Sequence, residues 1–305
     1  ADTRYCYATT IGCTPDTSGT SIVLPTVPVD TAETYYISYY SVDYVGNVEA
    51  THIDIPVQID LLAPTIGDDA PIGWTNNGSV TVTLTTSDDD SGLAGTAYCV
   101  EKTPVACDPD PDNGGTEGTI IDLASMFGSV PAGSSASYYI SYGSIDNAGN
   151  VASNSIVPVQ IDRTAPVTTD DAPIDWINSS TLITLTPSDL DSGVADTLYC
   201  IDSVNSCTPD TSGTGITIDS DGDYYIRYRS IDNVGNTEAI TSVFVQSESV
   251  APVTTDDAPT DWVNTADVTV TLTPVDDGSG MVGGLADTRY CYATTIGCTP
   301  EPFGT

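Results

Sequence analysis

Tyr224-Tyr225-Ile226-Arg227-Tyr228-Arg229-Ser230-Ile231-Asp232-Asn233-Val234-Gly235-Asn236 is the stretch that decides the fold. Side chains alternate across a strand, so Tyr224, Ile226, Tyr228 and Ser230 share one face and Tyr225, Arg227 and Arg229 the other. The first face reads as core and the second as wet. Asp-x-x-Gly-Asn then reverses the chain, because glycine takes positive φ at no steric cost and Asp or Asn can bond its own backbone. The run after it, 237–246, reads again as strand. Two more copies, Tyr35 to Asn47 and Tyr138 to Asn150, predict the same β-hairpin.

The surrounding composition is strongly acidic. Among 305 residues there are 43 acidic and 6 basic ones, with Lys102 and His52 the single lysine and histidine, for a formal charge of −37. Nucleic acid and anionic lipid need positive charge on the protein and are expected not to be partners. Cations fit better. The chain is 39% hydrophobic with 17 tyrosines, which argues for a folded β protein rather than disorder. No apolar run is long enough to span a membrane.

The eight cysteines form four close pairs, one per repeat: Cys6 with Cys13, Cys99 with Cys107, Cys200 with Cys207, and Cys291 with Cys298. Even number and regular spacing predict disulfides and an oxidising, extracellular or cell-surface location. Zinc would need four ligands per site, and one cysteine pair per repeat with a single histidine does not supply them.

A second signature repeats in phase with the hairpin. Ala-Pro, then Asp-Asp-Ala-Pro, then Trp occurs at 63–74, 165–176 and 251–262, and the three positions hold all three tryptophans. A Trp repeated in this way is expected to plug the core. A strand alternating apolar residues with threonine follows (Val80, Val82, Leu84; Val268, Val270, Leu272), then an acidic loop ending in Ser-Gly. Complete units are predicted at 63–164 and 165–250, with 1–62 the back of a unit and 251–305 the front of one. Residues 1–15 recur unchanged at 286–300. Either the sequence is a window on a longer tandem chain, or copies join head to tail by donating strands. The duplicated cysteine hairpin would be redundant in an exchange, which favours the window.

The units resemble the immunoglobulin-like and fibronectin-III-like repeats of bacterial and archaeal surface proteins. The resemblance rests on the linker Asp162-Arg163-Thr164-Ala165-Pro166, its variant Asp60-Leu61-Leu62-Ala63-Pro64, and the Tyr142-to-Asn150 hairpin with its copies. It implies tandem β-sandwiches used as stalk, spacer, adhesin or fibre. The third junction, Gln246-Ser247-Glu248-Ser249-Val250, lacks the linker aspartate. Independently, about seven short strands per repeat already suggest a sandwich.

Calcium, which takes six to eight oxygen ligands, is the expected cofactor. The candidate ligands are the acidic loops (Asp88 and Asp90, Asp189 and Asp191, Asp276 and Asp277) converging with three Asp-Asp pairs (Asp68 and Asp69, Asp170 and Asp171, Asp256 and Asp257). The hairpin residues Asp43, Asp146, Asp232, Asn47, Asn150 and Asn236 form a second set, although turn chemistry accounts for them. Asn77 and Asn178 head glycosylation sequons.

The expected function is structural: an extracellular filament or long surface fibre whose partners are copies of itself. The rivals are an adhesin stalk and a carbohydrate-binding accessory module, in which exposed tyrosines (Tyr7, Tyr40, Tyr292) would stack on glycans. No enzyme is expected, because carboxylate pairs recur in every repeat and neither a nucleophilic triad nor a phosphate loop is present.

Overall fold

A computed structural model describes residues 2–152, 155–276, 278–280 and 288–300. The chain divides into two compact units, 1–164 and 165–305, each taken by itself. It is nearly all-β, and its sheets are antiparallel apart from one short edge pairing in each unit.

In unit 1 the first sheet holds β1 (Asp2–Ala8), β2 (Thr17–Ser18), β3 (Ala32–Val42) and β4 (His52–Asp60), in the order β2-β1-β3-β4. Residues 63–164 then build a complete sandwich. Its smaller sheet is β5 (Thr65–Asp68), β7 (Thr81–Ser87) and β10 (Ile120–Asp122), with β7 central. Its larger sheet runs β6 (Trp74–Thr75), β12 (Ser155–Asp162), β11 (Ser135–Asp146), β8 (Leu93–Glu101), β9 (Thr116–Glu117). A single helical turn, α1 (Leu123–Phe127), is capped by Asp122, whose Oδ1 accepts from Ala124 N and Ser125 N.

Unit 2 repeats the plan. β13 (Val167–Asp170), β14 (Thr181–Ser188) and β17 (Gly215–Ile218) face a sheet of β16 (Thr211–Ser212), β15 (Val194–Asp202), β18 (Gly222–Asp232) and β19 (Thr241–Ser247). In sandwich lettering the small sheet is A-B-E and the large one C′-C-F-G. The remaining strands, β20 (Val253–Asp256) and β21 (Leu272–Val275), make an A–B hairpin with no second sheet among the described residues.

The predicted faces hold. Ile226, Tyr228 and Ser230 are buried, and β18 packs Ile226 and Tyr228 against Ile183, Leu185, Ile216 and Ile218. In 63–164 the equivalent core joins Val80, Val82 and Leu84 to Tyr138, Ile140, Tyr142 and Val159. The hairpin turns form as expected: Asp146 Oδ1 accepts from Ala148 N and Asn150 N (2.9 and 2.8 Å), and Gly149 sits at φ +95°. The return strands begin later than the sequence suggests, at Thr241 rather than 237 and at His52 rather than 48, because the residues right after the turn make only isolated bridges.

Two expectations are corrected. The tryptophans do not plug the core: Trp74 lies in the short edge strand β6, parallel to β12, Trp176 is exposed beside the buried Ile177, and Trp262 is fully exposed. The apolar residues of the A-B-E sheet already fill the interior, leaving the indole at the edge. The predicted B strand of 251–305 begins only at Leu272, with Val268 and Val270 exposed, since no facing sheet covers them.

All four expected disulfides form: Cys6 with Cys13, Cys99 with Cys107, Cys200 with Cys207, and Cys291 with Cys298, at Cα–Cα distances of 6.0 to 6.2 Å. They do not join the two sheets. Tyr98 on β8 points into the core, so its neighbour Cys99 faces outward. The second cysteine of each pair lies outside any strand, with Cys13, Cys107 and Cys207 half-buried and Cys298 exposed. The first three bonds therefore each close the loop that leaves the C strand. In the Cys200–Cys207 loop, Asp202 completes the closure by accepting from the backbone N–H groups of Asn205, Ser206 and Cys207, each at 2.8 Å.

Candidate metal centre at the module junction

Three carboxylates meet where residues 1–62 pass into the 63–164 sandwich. Oxygens of Asp60, Asp88 and Asp146 lie within 4.8 Å of one another. Asp60 ends β4 and belongs to the linker, Asp88 opens the acidic loop after β7, and Asp146 ends β11 at the hairpin turn. The three ends converge because β7, β11 and the linker all finish at the same edge of the sandwich.

Backbone donors hold each carboxylate in place. Asp60 Oδ2 accepts from Ser91 N at 3.0 Å and Oδ1 from Leu62 N at 2.9 Å. Asp88 Oδ1 accepts from Gly92 N at 2.6 Å. Two hairpin asparagines tie the parts together: Asn150 Nδ2 donates to Asp60 O, and Asn147 Nδ2 to Ser91 O and Gly92 O. Burial opposes ionisation of Asp146, but donation from the Asn150 side chain and from the N–H groups of Asn150, Gly149 and Ala148 outweighs it and holds the carboxyl below its usual range.

The donor set fits a hard divalent cation. All the side-chain donors are anionic oxygens, and a carboxylate that accepts one or two N–H bonds keeps lone pairs for a cation.

Of the sequence-predicted metal ligands, Asp88 from the acidic loops and Asp146 from the hairpin set belong to this group. Asp90 is exposed and outside it. Asp68 instead accepts from Ala70 N and from the Tyr142 hydroxyl, and Asp69 from Thr83 N. Asp170, Asp171, Asp256 and Asp257 do the same local work for Ala172, Thr184, Ala258 and Thr271. The strand register separates the two sets. Asp68 pairs with Leu84, so Asp88 lies four residues further along that line, roughly 13 Å at a strand's rise per residue.

In unit 2, Asp189 closes its loop on Asp191 N and Gly193 N, and its carboxylate lies within 4.8 Å of that of Asp232. Asp191 itself is half-buried in the loop. Asp276 accepts from Gly280 N, and Asp277 lies outside the described residues.

The third junction does carry a linker acid. Glu248 stands the same three residues before Ala-Pro as Asp60 does, and its Oε2 accepts from Ser279 Oγ at 2.8 Å and Ser279 N at 3.4 Å. This repeats the Asp60–Ser91 contact with one extra methylene of reach.

The sequon residues Asn77 and Asn178 are both exposed. Asn77 Oδ1 accepts from Ser79 N in a tight turn.

No protein-family model matches the chain, and no curated protein matches it. Solved structures that resemble it include the fibronectin(III)-like modules of Clostridium thermocellum CbhA, 15% identical over 61% of this chain and 95% of that one, TM-score 0.29. The D00-D0 domain of intimin is 11% identical over 60% and 96%, TM-score 0.30. Three N-terminal domains of the bacteriophage RB49 highly immunogenic outer capsid protein are 9% identical over 82% and 89%, TM-score 0.39. Strand order and register define the fold. On those grounds the chain is a tandem immunoglobulin-like, fibronectin-III-like β-sandwich protein.

Proposed function

We propose that this is an extracellular structural protein, a filament or long surface fibre assembled from copies of itself. The observation that carries the reading is the repetition of one disulfide-stapled sandwich, with an acid clamp at the linkers that lead into 63–164 and 251–305 (Asp60 on Ser91, Glu248 on Ser279). Modules that fold locally and contact only their neighbours extend a rod by repetition alone. The disulfides suit an oxidising compartment. Few lysines and arginines leave few tryptic sites, which suits an exposed fibre.

Calcium stiffens the junctions in this reading. Asp60, Asp88 and Asp146 would hold it, and the ion would replace their mutual repulsion with shared coordination. Asn77 and Asn178 would carry glycans.

The test is electron microscopy of native extracellular material in calcium. Fibres of uniform width with an axial repeat of three modules are expected. Short stalks ending in a globular head would overturn the reading and favour an adhesin.

A further inference from the structure

One cross-strand row on the outer face of the C′-C-F-G sheet differs between the repeats. In 1–62 it runs Ser18, Arg4, Tyr40 across β2, β1 and β3. In 165–250 it runs Ser212, Leu198, Arg229 across β16, β15 and β18. In 63–164 it runs Glu117, Ala97, Gly143 across β9, β8 and β11. Two repeats thus carry an arginine beside a second bulky side chain. The third has a methyl group and a hydrogen in their place, and an acid on the edge strand.

A cavity of about 410 Å³ opens at this row in 63–164. Its size falls among ordinary ligand pockets, roughly 300–1,000 Å³. Tyr98 and Tyr142 point into the core, so Ala97 and Gly143 form an outward floor. Ile145 and Val151, both exposed, make an apolar wall. The loop from Cys107 to β9 is longer than its counterparts and brings Asp110 to the rim beside Glu117.

The rim acids have no base of their own. Glu117 makes no hydrogen bond or ion pair among the described residues, and the Asp110 carboxylate accepts from Asp112 N. In 1–62 the arrangement is closed internally: Asp2, which stands where Gly95 stands in 63–164, accepts from Arg4 Nε at 3.0 Å.

We propose that the cavity takes an arginine side chain from a partner protein. The aliphatic stem packs on Ala97, Gly143, Ile145 and Val151. The guanidinium meets Glu117, since a carboxylate matches its planar fork. The occupant is the group that the other two repeats supply from within, through Arg4 and Arg229. A hydrated metal ion does not suit apolar walls. A basic partner is also drawn to a chain of formal charge −37. The arginines of a second copy are less suited: Arg4 is held by Asp2, Arg163 by Val130 O and Arg227 by Asn205 O, and Arg229 is half-buried.

The test is isothermal titration of the full oxidised chain with the peptide Gly-Gly-Arg-Gly-Gly. The control peptide carries citrulline, which keeps the shape and loses the charge. The arginine peptide should bind about tenfold more tightly, the difference expected for one charge-assisted hydrogen bond. Glu117→Gln should remove that preference. Ala97→Leu copies the residue at Leu198, fills the floor and leaves the charge unchanged, so it should abolish binding with the melting temperature held. Glu101→Gln, outside the cavity, should bind as the wild type does. No binding of the arginine peptide, equal affinity for citrulline, or binding untouched by Ala97→Leu would overturn the proposal. Equal weakening by Glu101→Gln would do so too, by showing diffuse attraction to an acidic chain. So would wild-type self-association in sedimentation velocity that Ala97→Leu abolishes, since the occupant would then be a second copy.

Discussion

The Tyr228 hydroxyl donates to Asp170 Oδ2 at 2.6 Å, tying the central strand of one sheet to the edge strand of the other. Tyr142 and Asp68 repeat it in the preceding module. Burial, the hydrogen bond to Asp170 and the Asp170 and Glu238 charges all push the Tyr228 phenol well above its ordinary value, so the phenol stays a donor. Tyr228→Phe keeps the ring and removes only this bond. A hydrogen bond to a charged acceptor contributes about 1.5–3 kcal/mol, so a loss near the lower end is expected, because the partly exposed Asp170 regains water. Urea titration at unchanged m-value would read it.

Core and surface apolar residues should separate cleanly. Ile226 is fully buried between the sheets, whereas Ile174 is fully exposed. Ile226→Ala is expected to cost about 2–5 kcal/mol and Ile174→Ala within about 0.5 kcal/mol of nothing. Thermal unfolding of the two variants side by side checks the assignment of faces.

Cys200→Ser with Cys207→Ser should cost about 2–3 kcal/mol by the chain-entropy estimate for so small a loop. Because Asp202 still holds the loop through three backbone N–H groups, the fold should survive. Chemical denaturation with intact circular dichroism is the measurement.

Calcium should raise the melting temperature of the full chain relative to chelator. Asp88→Asn should reduce that shift, whereas Asp69→Asn, which caps Thr83 N away from the junction, should preserve it. An identical melting temperature with calcium and chelator in the wild type would remove calcium from the account.

Acid should destabilise the turns. The Asn47 side chain and backbone donors lower the pKa of Asp43, the backbone N–H of Ser206 and further loop donors lower that of Asp202, and the Asn150 donors overcome burial at Asp146. A folded pKa below the unfolded one means stabilisation fully present above the unfolded value of 3.8 and lost as pH falls through the folded values. Stability should therefore be level above about pH 5 and fall steadily below about pH 4, followed by tryptophan fluorescence during acid titration.

The hairpins were legible because period-two alternation and an Asp-x-x-Gly-Asn turn leave one register available: a slip at Ile226 would expose the whole face. The disulfides were legible from spacing. The junction was not. Asp60 read as a linker residue, and only the tertiary meeting of β7, β11 and the linker brings it to Asp88 and Asp146. Asp68 and Asp69 looked like partners of Asp88 until the β5–β7 pairing placed them at the other end of the strand. Glu248 looked like a lost aspartate because sequence position does not convey side-chain reach. Trp176 misled because its neighbour Ile177, not the indole, is the buried residue.

The small size of the staples has a mechanical consequence. A disulfide shields from extension only the chain it encloses, and Cys200–Cys207 spans a sequence separation of 7. At roughly 3.5 Å per extended residue that hides about 25 Å of contour length. Nearly all of residues 165–250 thus remains available as slack once the sandwich yields. A chain pulled at its ends would lengthen module by module, in steps that a reducing agent changes only slightly. Resistance to load would reside in the strand pairing, and the sulfur bridges would guard the loops without limiting the stretch.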